Sequence, residues 1–145
     1  MPAFIKFDNF PLQLGKKCYN FDSDVCKIAL TNDTPNAATQ TAFLVGTLHT
    51  PPSPANGYTT NGYVVTLDGW SLVSTIATYR VTTDIVVTAT AGGIGPFRYA
   101  ILYDSSTTTP INLPLIGYWD YGSSVSLASG ESVTLDITNS LFTVY

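Results

Sequence analysis

The chain has 145 residues, a size that suits one domain and buries about 70% of its unfolded surface, so neither a disulfide nor a metal is needed for folding. Hydrophobic residues make up 45% of it and charged residues only 11%, so Thr, Ser, Asn and Tyr must cover a surface that suits packing against neighbours. The net charge of −4 divides unevenly: residues 1–30 hold four lysines against three aspartates, and the remainder two arginines against seven acids, an acidic body that speaks against nucleic-acid binding.

Residues 1–24, MPAFIKFDNFPLQLGKKCYNFDSD, form no good helix. Pro11 and Gly15 interrupt the pattern, and a residue before proline is pushed out of helical geometry. The stretch reads as an extended N-terminal arm with one helical turn near residues 12–17. Lys6 and Asp8 break its apolar run, so no signal-peptide core is expected. Nowhere do apolar residues approach the roughly 18 in a row that span a membrane. Residues 25–30 (VCKIAL) predict a short strand and TNDTPN a turn, whereas residues 42–48 suit a strand or a short helix. PPSPANGYTTNG, with three prolines and two Asn-Gly pairs, is a loop in which either pair can close a hairpin.

From Tyr63 onward the pattern is strand after strand. Tyr63, Val65 and Leu67 alternate with Val64, Thr66 and Asp68, and residues 79–90 are dense in Val, Ile and Thr. Tyr99, Ile101 and Tyr103 alternate with Ala100 and Leu102. Val125 and Leu127 precede an Ala-Ser-Gly-Glu turn, after which Val133, Leu135 and Ile137 alternate, which predicts a hairpin. Residues 141–145 read as an edge strand. Short strands at this spacing predict an all-β fold, an antiparallel β-sandwich or small barrel, with residues 25–145 as the β domain and 1–24 as the arm.

No catalytic set is recognisable, and an enzyme is not expected. His49 is the only histidine, and no G-x-S-x-G turn offers it a serine, so a loop-packing role is expected over a general base. One His and two Cys fall short of the roughly four ligands that zinc takes. Asp22, Asp24 and Asp33 lie close in sequence but read as acids in solvated turns, since calcium wants about six oxygens or more. GGIGPF lacks the Lys-Ser/Thr and the helix start of a phosphate loop, and reads as a tight turn into FRYAILY. Arg98 in that strand is expected to form a structural ion pair. Trp70, Trp119 and the nine tyrosines suit core and cross-strand packing, with a sugar-binding platform as the competing reading. No cofactor and no metal are expected.

Residues 92–127, GGIGPFRYAILYDSSTTTPINLPLIGYWDYGSSVSL, read as two aromatic-rich strands around a polar Ser/Thr/Pro loop. Together with KIALTND-P near residue 30 and the NGYTT-NGY loop, the strands IGPFRYA and PLIG-W-DYGSS resemble a family of small structural proteins encoded by tailed bacteriophages. The N-terminal stretch departs from that family, in which it often reads as a short amphipathic helix. The resemblance implies an accessory virion protein, made in the host cytoplasm and carried in the particle. The role it implies is a capsid decoration or cement protein that binds the outer shell and clamps major capsid protein subunits. Its partners would be the major capsid protein and other copies of itself, with no nucleic acid and no membrane. The competing expectation is a tail, neck or fibre component that binds host surface sugars. In the assembled particle, Phe4, Ile5, Phe7 and Phe10 of the arm would form an interface, because a monomer could not easily bury them. Cys18 and Cys26 stand eight residues apart. A particle assembled in reducing cytoplasm works outside the cell, so a disulfide, within the chain or between subunits, and a pair of buried free thiols both remain open.

Overall fold

A computed structural model describes residues 2–46, 49–52, 55–138 and 141–144. Its longest elements are β7 (Ile94–Asp104) and β8 (Leu115–Leu127), the two aromatic-rich segments, paired antiparallel. With β1 (Phe4–Lys6), β2 (Cys26–Thr31) and β3 (Tyr63–Val64) they form a five-stranded sheet in the order β1-β8-β7-β2-β3. A three-stranded sheet of β4 (Leu67–Val73), β5 (Ile76–Val81) and β10 (Phe142–Val144) has the order β10-β5-β4. β6 (Ile85–Thr88) and β9 (Ser132–Leu135) make a separate pair. Every pairing between these strands is antiparallel, and the one helix among the described residues, α1 (Phe10–Gly15), is short. The fold is all-β, as the period-2 patterning predicts.

The five-stranded sheet is buried on both faces, which explains the nearly unbroken apolar run of β7. Ala100 and Leu102 point into the main core, with Ile28, Leu30, Tyr79, Val87, Phe97, Trp119 and Leu135. Tyr99, Ile101 and Tyr103 point the other way, into a smaller cluster with Phe7, Phe43 and Leu115. That second face is roofed by the loop before residue 46, anchored where the Phe43 N–H donates to the Leu113 carbonyl and the Leu115 N–H to the Thr41 carbonyl. Residues 42–46 form no regular element beyond isolated bridges from Ala42 to Pro114 and from Val45 to His49; Thr47 and Leu48 lie outside the described residues.

Three expectations are corrected. Residues 1–24 do not form a free arm: β1 is hydrogen-bonded to β8, with Phe4 opposite Trp119. Phe7 and Phe10 are buried in the chain's own cores, Phe4 is partly buried, and only Ile5 of the four stays exposed, at 40%. The apolar rings find partners within the monomer: Phe7 packs against Tyr118 of β8, and Phe4 and Phe10 meet Phe142 of β10. Phe142 contacts the rings of Phe4, Phe10, Phe21, Trp70 and Tyr79 at centroid distances of 5.1 to 6.1 Å. Secondly, β8 and β9 do not form a hairpin. The turn exists, with the Glu131 N–H donating to the Ala128 carbonyl, but β8 is taken by β7 and β1, so β9 crosses to β6. Thirdly, neither Asn-Gly pair closes a hairpin. Asn61-Gly62 leads into β3, which pairs with the distant β2, and a side chain at Gly62 (φ +77°) would collide with the Ile28 carbonyl.

Candidate functional site

His49 is 2% exposed and stacks on Phe43 at 4.7 Å, while Phe43 stacks in turn on Tyr103 at 4.1 Å. Its Nδ1 accepts the Leu44 N–H at 3.1 Å, and burial pushes its pKa below the ordinary histidine value. The ring packs against Phe43 in the roof over the second face of the sheet, and its Nε2 is buried without a hydrogen-bond partner among the described residues. Asp33 accepts from the Thr50 N–H at 2.6 Å, whereas Asp24 accepts from the Asn20 N–H and lies beside Asp104, and Asp22 is exposed. Asp24 and Asp33 thus each serve a different local turn. Among the described residues no group of three or more His, Cys, Asp and Glu is placed to hold a metal.

The two cysteines lie in the core as free thiols. Cys26 faces the Tyr79 hydroxyl, a weak partner that leaves this buried oxygen without a full hydrogen bond. Burial pushes the Cys26 thiol up to about 12, which removes its nucleophilic form at neutral pH. Asp104, fully buried at the end of β7, completes this polar pocket of the interior. Its carboxylate accepts from the Ser106 N–H, the Thr107 N–H and the Thr107 hydroxyl at 2.7 to 3.2 Å. Burial raises its pKa, and the neighbouring Asp24 raises it further. The acid closes the turn after β7 and has no cation facing it among the described residues.

Arg98 forms a bidentate pair with Asp120, at 2.7 and 2.9 Å, and its guanidinium lies 5.2 Å from the Tyr99 ring centroid. The pair ties β7 to β8. The GGIGPF segment turns into β7 with Gly93 (φ +72°) pressed against the Leu127 carbonyl, so the glycines serve close backbone approach. Trp119 is buried and Trp70 half-buried against Phe21 and Phe142, so the tryptophans form no exposed platform.

What the fold does assemble is a groove. β1 and β10 are the outermost strands of their sheets, and they meet where Phe4 stacks on Phe142 at 5.8 Å. α1 closes onto this seam through Phe10, whose ring meets Phe142 edge-on at 5.7 Å. Pro11 stands in the first turn of α1, where its missing N–H costs no intrahelical bond. Lys17, at φ +60°, ends the helix and lets the Cys18 N–H reach the Gln13 carbonyl at 3.0 Å. Between the two strand edges lies an apolar groove of about 230 Å³, lined by Lys6, Phe10, Pro11, Leu14, Thr143 and Val144. Sequence reading could not find it, because its walls come from opposite ends of the chain. The available signal was the run of Phe and Leu in residues 4–14, joined to an apolar last strand. Large apolar side chains are exposed elsewhere too: Leu72 near the β4–β5 turn at 74%, Val86 at 58% and Leu12 at 55%.

Comparisons with protein-family models, curated proteins and solved structures find no match to this chain. Among the described residues no helix is long and apolar enough to cross a membrane.

Proposed function

We propose that this chain is a structural component of a tailed-bacteriophage particle, a capsid decoration or cement protein that binds the outer shell and clamps major capsid protein subunits. The observation that carries the reading is the apolar groove between the open edges of β1 and β10. Two strand edges with no partner strand among the described residues, beside an apolar trough, are what a partner's extended segment needs, main-chain bonds from the edge and side-chain burial from the trough. The resemblance of IGPFRYA and PLIG-W-DYGSS to small phage structural proteins supports the same role. So does a surface with few charges and several exposed aliphatic side chains, which favours contact over free solvation.

The mechanism is linkage. A protein that binds only where shell subunits are adjacent shifts the equilibrium toward the assembled particle, in proportion to how far its concentration exceeds its dissociation constant. The chain is made in the host cytoplasm and acts in the virion, with the major capsid protein as partner. The test is to add purified chain to shells prepared without it. Saturable binding with a rise in the temperature of shell disruption supports the clamp. Absence of binding, or binding with no gain in shell stability, refutes it.

A further inference from the structure

We propose that Asn56-Gly57 is a site of spontaneous covalent modification, at which the asparagine converts to aspartate and isoaspartate, while the fold protects the second pair, Asn61-Gly62. The chemistry needs only water and is independent of the particle reading.

In an Asn-Gly pair the glycine backbone nitrogen, losing its proton, attacks the asparagine Cγ. A new N–Cγ bond closes a succinimide ring, the Cγ–Nδ2 bond breaks and ammonia leaves. Water then opens the ring at either carbonyl. One opening gives aspartate; the other gives isoaspartate, whose main chain runs through Cγ. Glycine favours the attack because no side chain crowds its nitrogen. In a folded chain the rate depends on whether that nitrogen is free to move onto Cγ.

The carbonyls of both asparagines are held. Asn56 accepts the Thr90 N–H at 3.0 Å, and Asn61 accepts the Tyr103 hydroxyl at 2.6 Å. The two nucleophiles differ. The Gly62 N–H donates to the Thr59 carbonyl at 2.7 Å, and Gly62 is buried, pressed against the Ile28 carbonyl and the Ala29 Cα. Swinging this nitrogen toward Cγ breaks a hydrogen bond inside a packed turn. Gly57 is exposed, and among the described residues no group accepts its N–H. It packs on one side only, against Thr88 and Thr90, and its carbonyl accepts the Tyr63 hydroxyl at 3.2 Å. One hydrogen bond on the nucleophile, with burial added, should slow Asn61 relative to Asn56 by roughly tenfold or more.

The product changes the surface. Conversion adds one negative charge to a chain whose net charge is already −4. The Asn56 side chain lies over Gly92, so the carboxylate forms beside the turn that enters β7. In isoaspartate the main chain gains a methylene, which shifts the register between the Asn56–Thr90 bond and the Gly57–Thr88 contact. Residues 55–57 should then loosen from the end of β6 while the sheets stay paired.

The test incubates the purified full-length chain in mildly alkaline buffer, folded and in urea. Tandem mass spectrometry reads each site, and ion exchange reads the added charge. In the folded chain an acidic species should accumulate with aspartate and isoaspartate at residue 56, and Asn61 should lag by roughly tenfold or more. In urea the two sites should convert at similar rates. Asn56→Gln, whose longer side chain closes its ring far more slowly, should remove most of the acidic species. Asn61 converting as fast as Asn56 in the folded chain overturns the proposal. So does an Asn56 that stays intact when folded but converts in urea, a gap between the sites that persists in urea, or an acidic species undiminished in Asn56→Gln.

Discussion

Phe4 occupies the space that a side chain at residue 117 would need: its ring lies over Gly117, and a Cβ built there would collide with the ring. The glycine of the PLIG segment is thus the seat of the N-terminal strand. Gly117→Ala should force Phe4 off its tilted contact with Trp119 and destabilise the fold by about 1–3 kcal/mol. Urea unfolding followed by circular dichroism checks this. An unchanged midpoint would mean that β1 contributes little to the folded state.

The aromatic hub around Phe142 makes a stronger demand. Phe142→Ala removes a buried ring that contacts five others and should cost about 3–5 kcal/mol. Deleting residues 2–16 strips the hub of Phe4 and Phe10, and the small core of Phe7, so the truncated chain should be unfolded or molten by near-ultraviolet circular dichroism. A truncated chain with native tertiary signal would restore the view of this segment as an extended arm separate from the β domain.

The β7 strand was legible in FRYAILY because aromatic and aliphatic residues crowd it, and its burial on both faces follows from the roof over Tyr99, Ile101 and Tyr103. The β4–β5 hairpin was not legible. Its turn places Ser74 and Thr75 at φ +50° and +73°, a conformation normally signalled by Gly or Asn, so the usual punctuation was missing. The β8–β9 hairpin was misread because local pattern carries no information about competing partners, and β7 and β6 outcompete the neighbour in sequence. The groove and the burial of Phe4 and Phe10 were hidden for the same reason. Both depend on β10, far along the chain.

Asp104 should make the fold prefer acid within its own titration. Its folded pKa is raised by burial and by Asp24, so its contribution is full below the ordinary carboxylate value and is lost as pH rises through the raised one. Asp104→Asn keeps acceptors for the Ser106 and Thr107 N–H groups and removes that loss. The stability of the variant relative to wild type should grow with pH above 4, by at most about 1.4 kcal/mol per pH unit for one proton. The comparison must be made as a difference, because Asp33, with its pKa lowered by the Thr50 and Thr31 donors, works in the opposite direction, losing stability as pH falls. A difference that is flat with pH would place Asp104 in the ordinary carboxylate range.

Cys18 and Cys26 should both resist alkylation in the native state and react fully once the chain is unfolded. Each is buried, and the Cys26 thiol, at about 12, supplies almost no thiolate at neutral pH. Mass spectrometry after labelling reads the result. Protection that survives denaturation and disappears with reductant would reveal a disulfide.

The copy number of this chain in purified particles tests the decoration role most directly. Quantitative mass spectrometry against the major capsid protein should give a fixed ratio on the scale of the shell, unchanged when tails are removed. A handful of copies that leave with the tail, or absence from the particle, would contradict it.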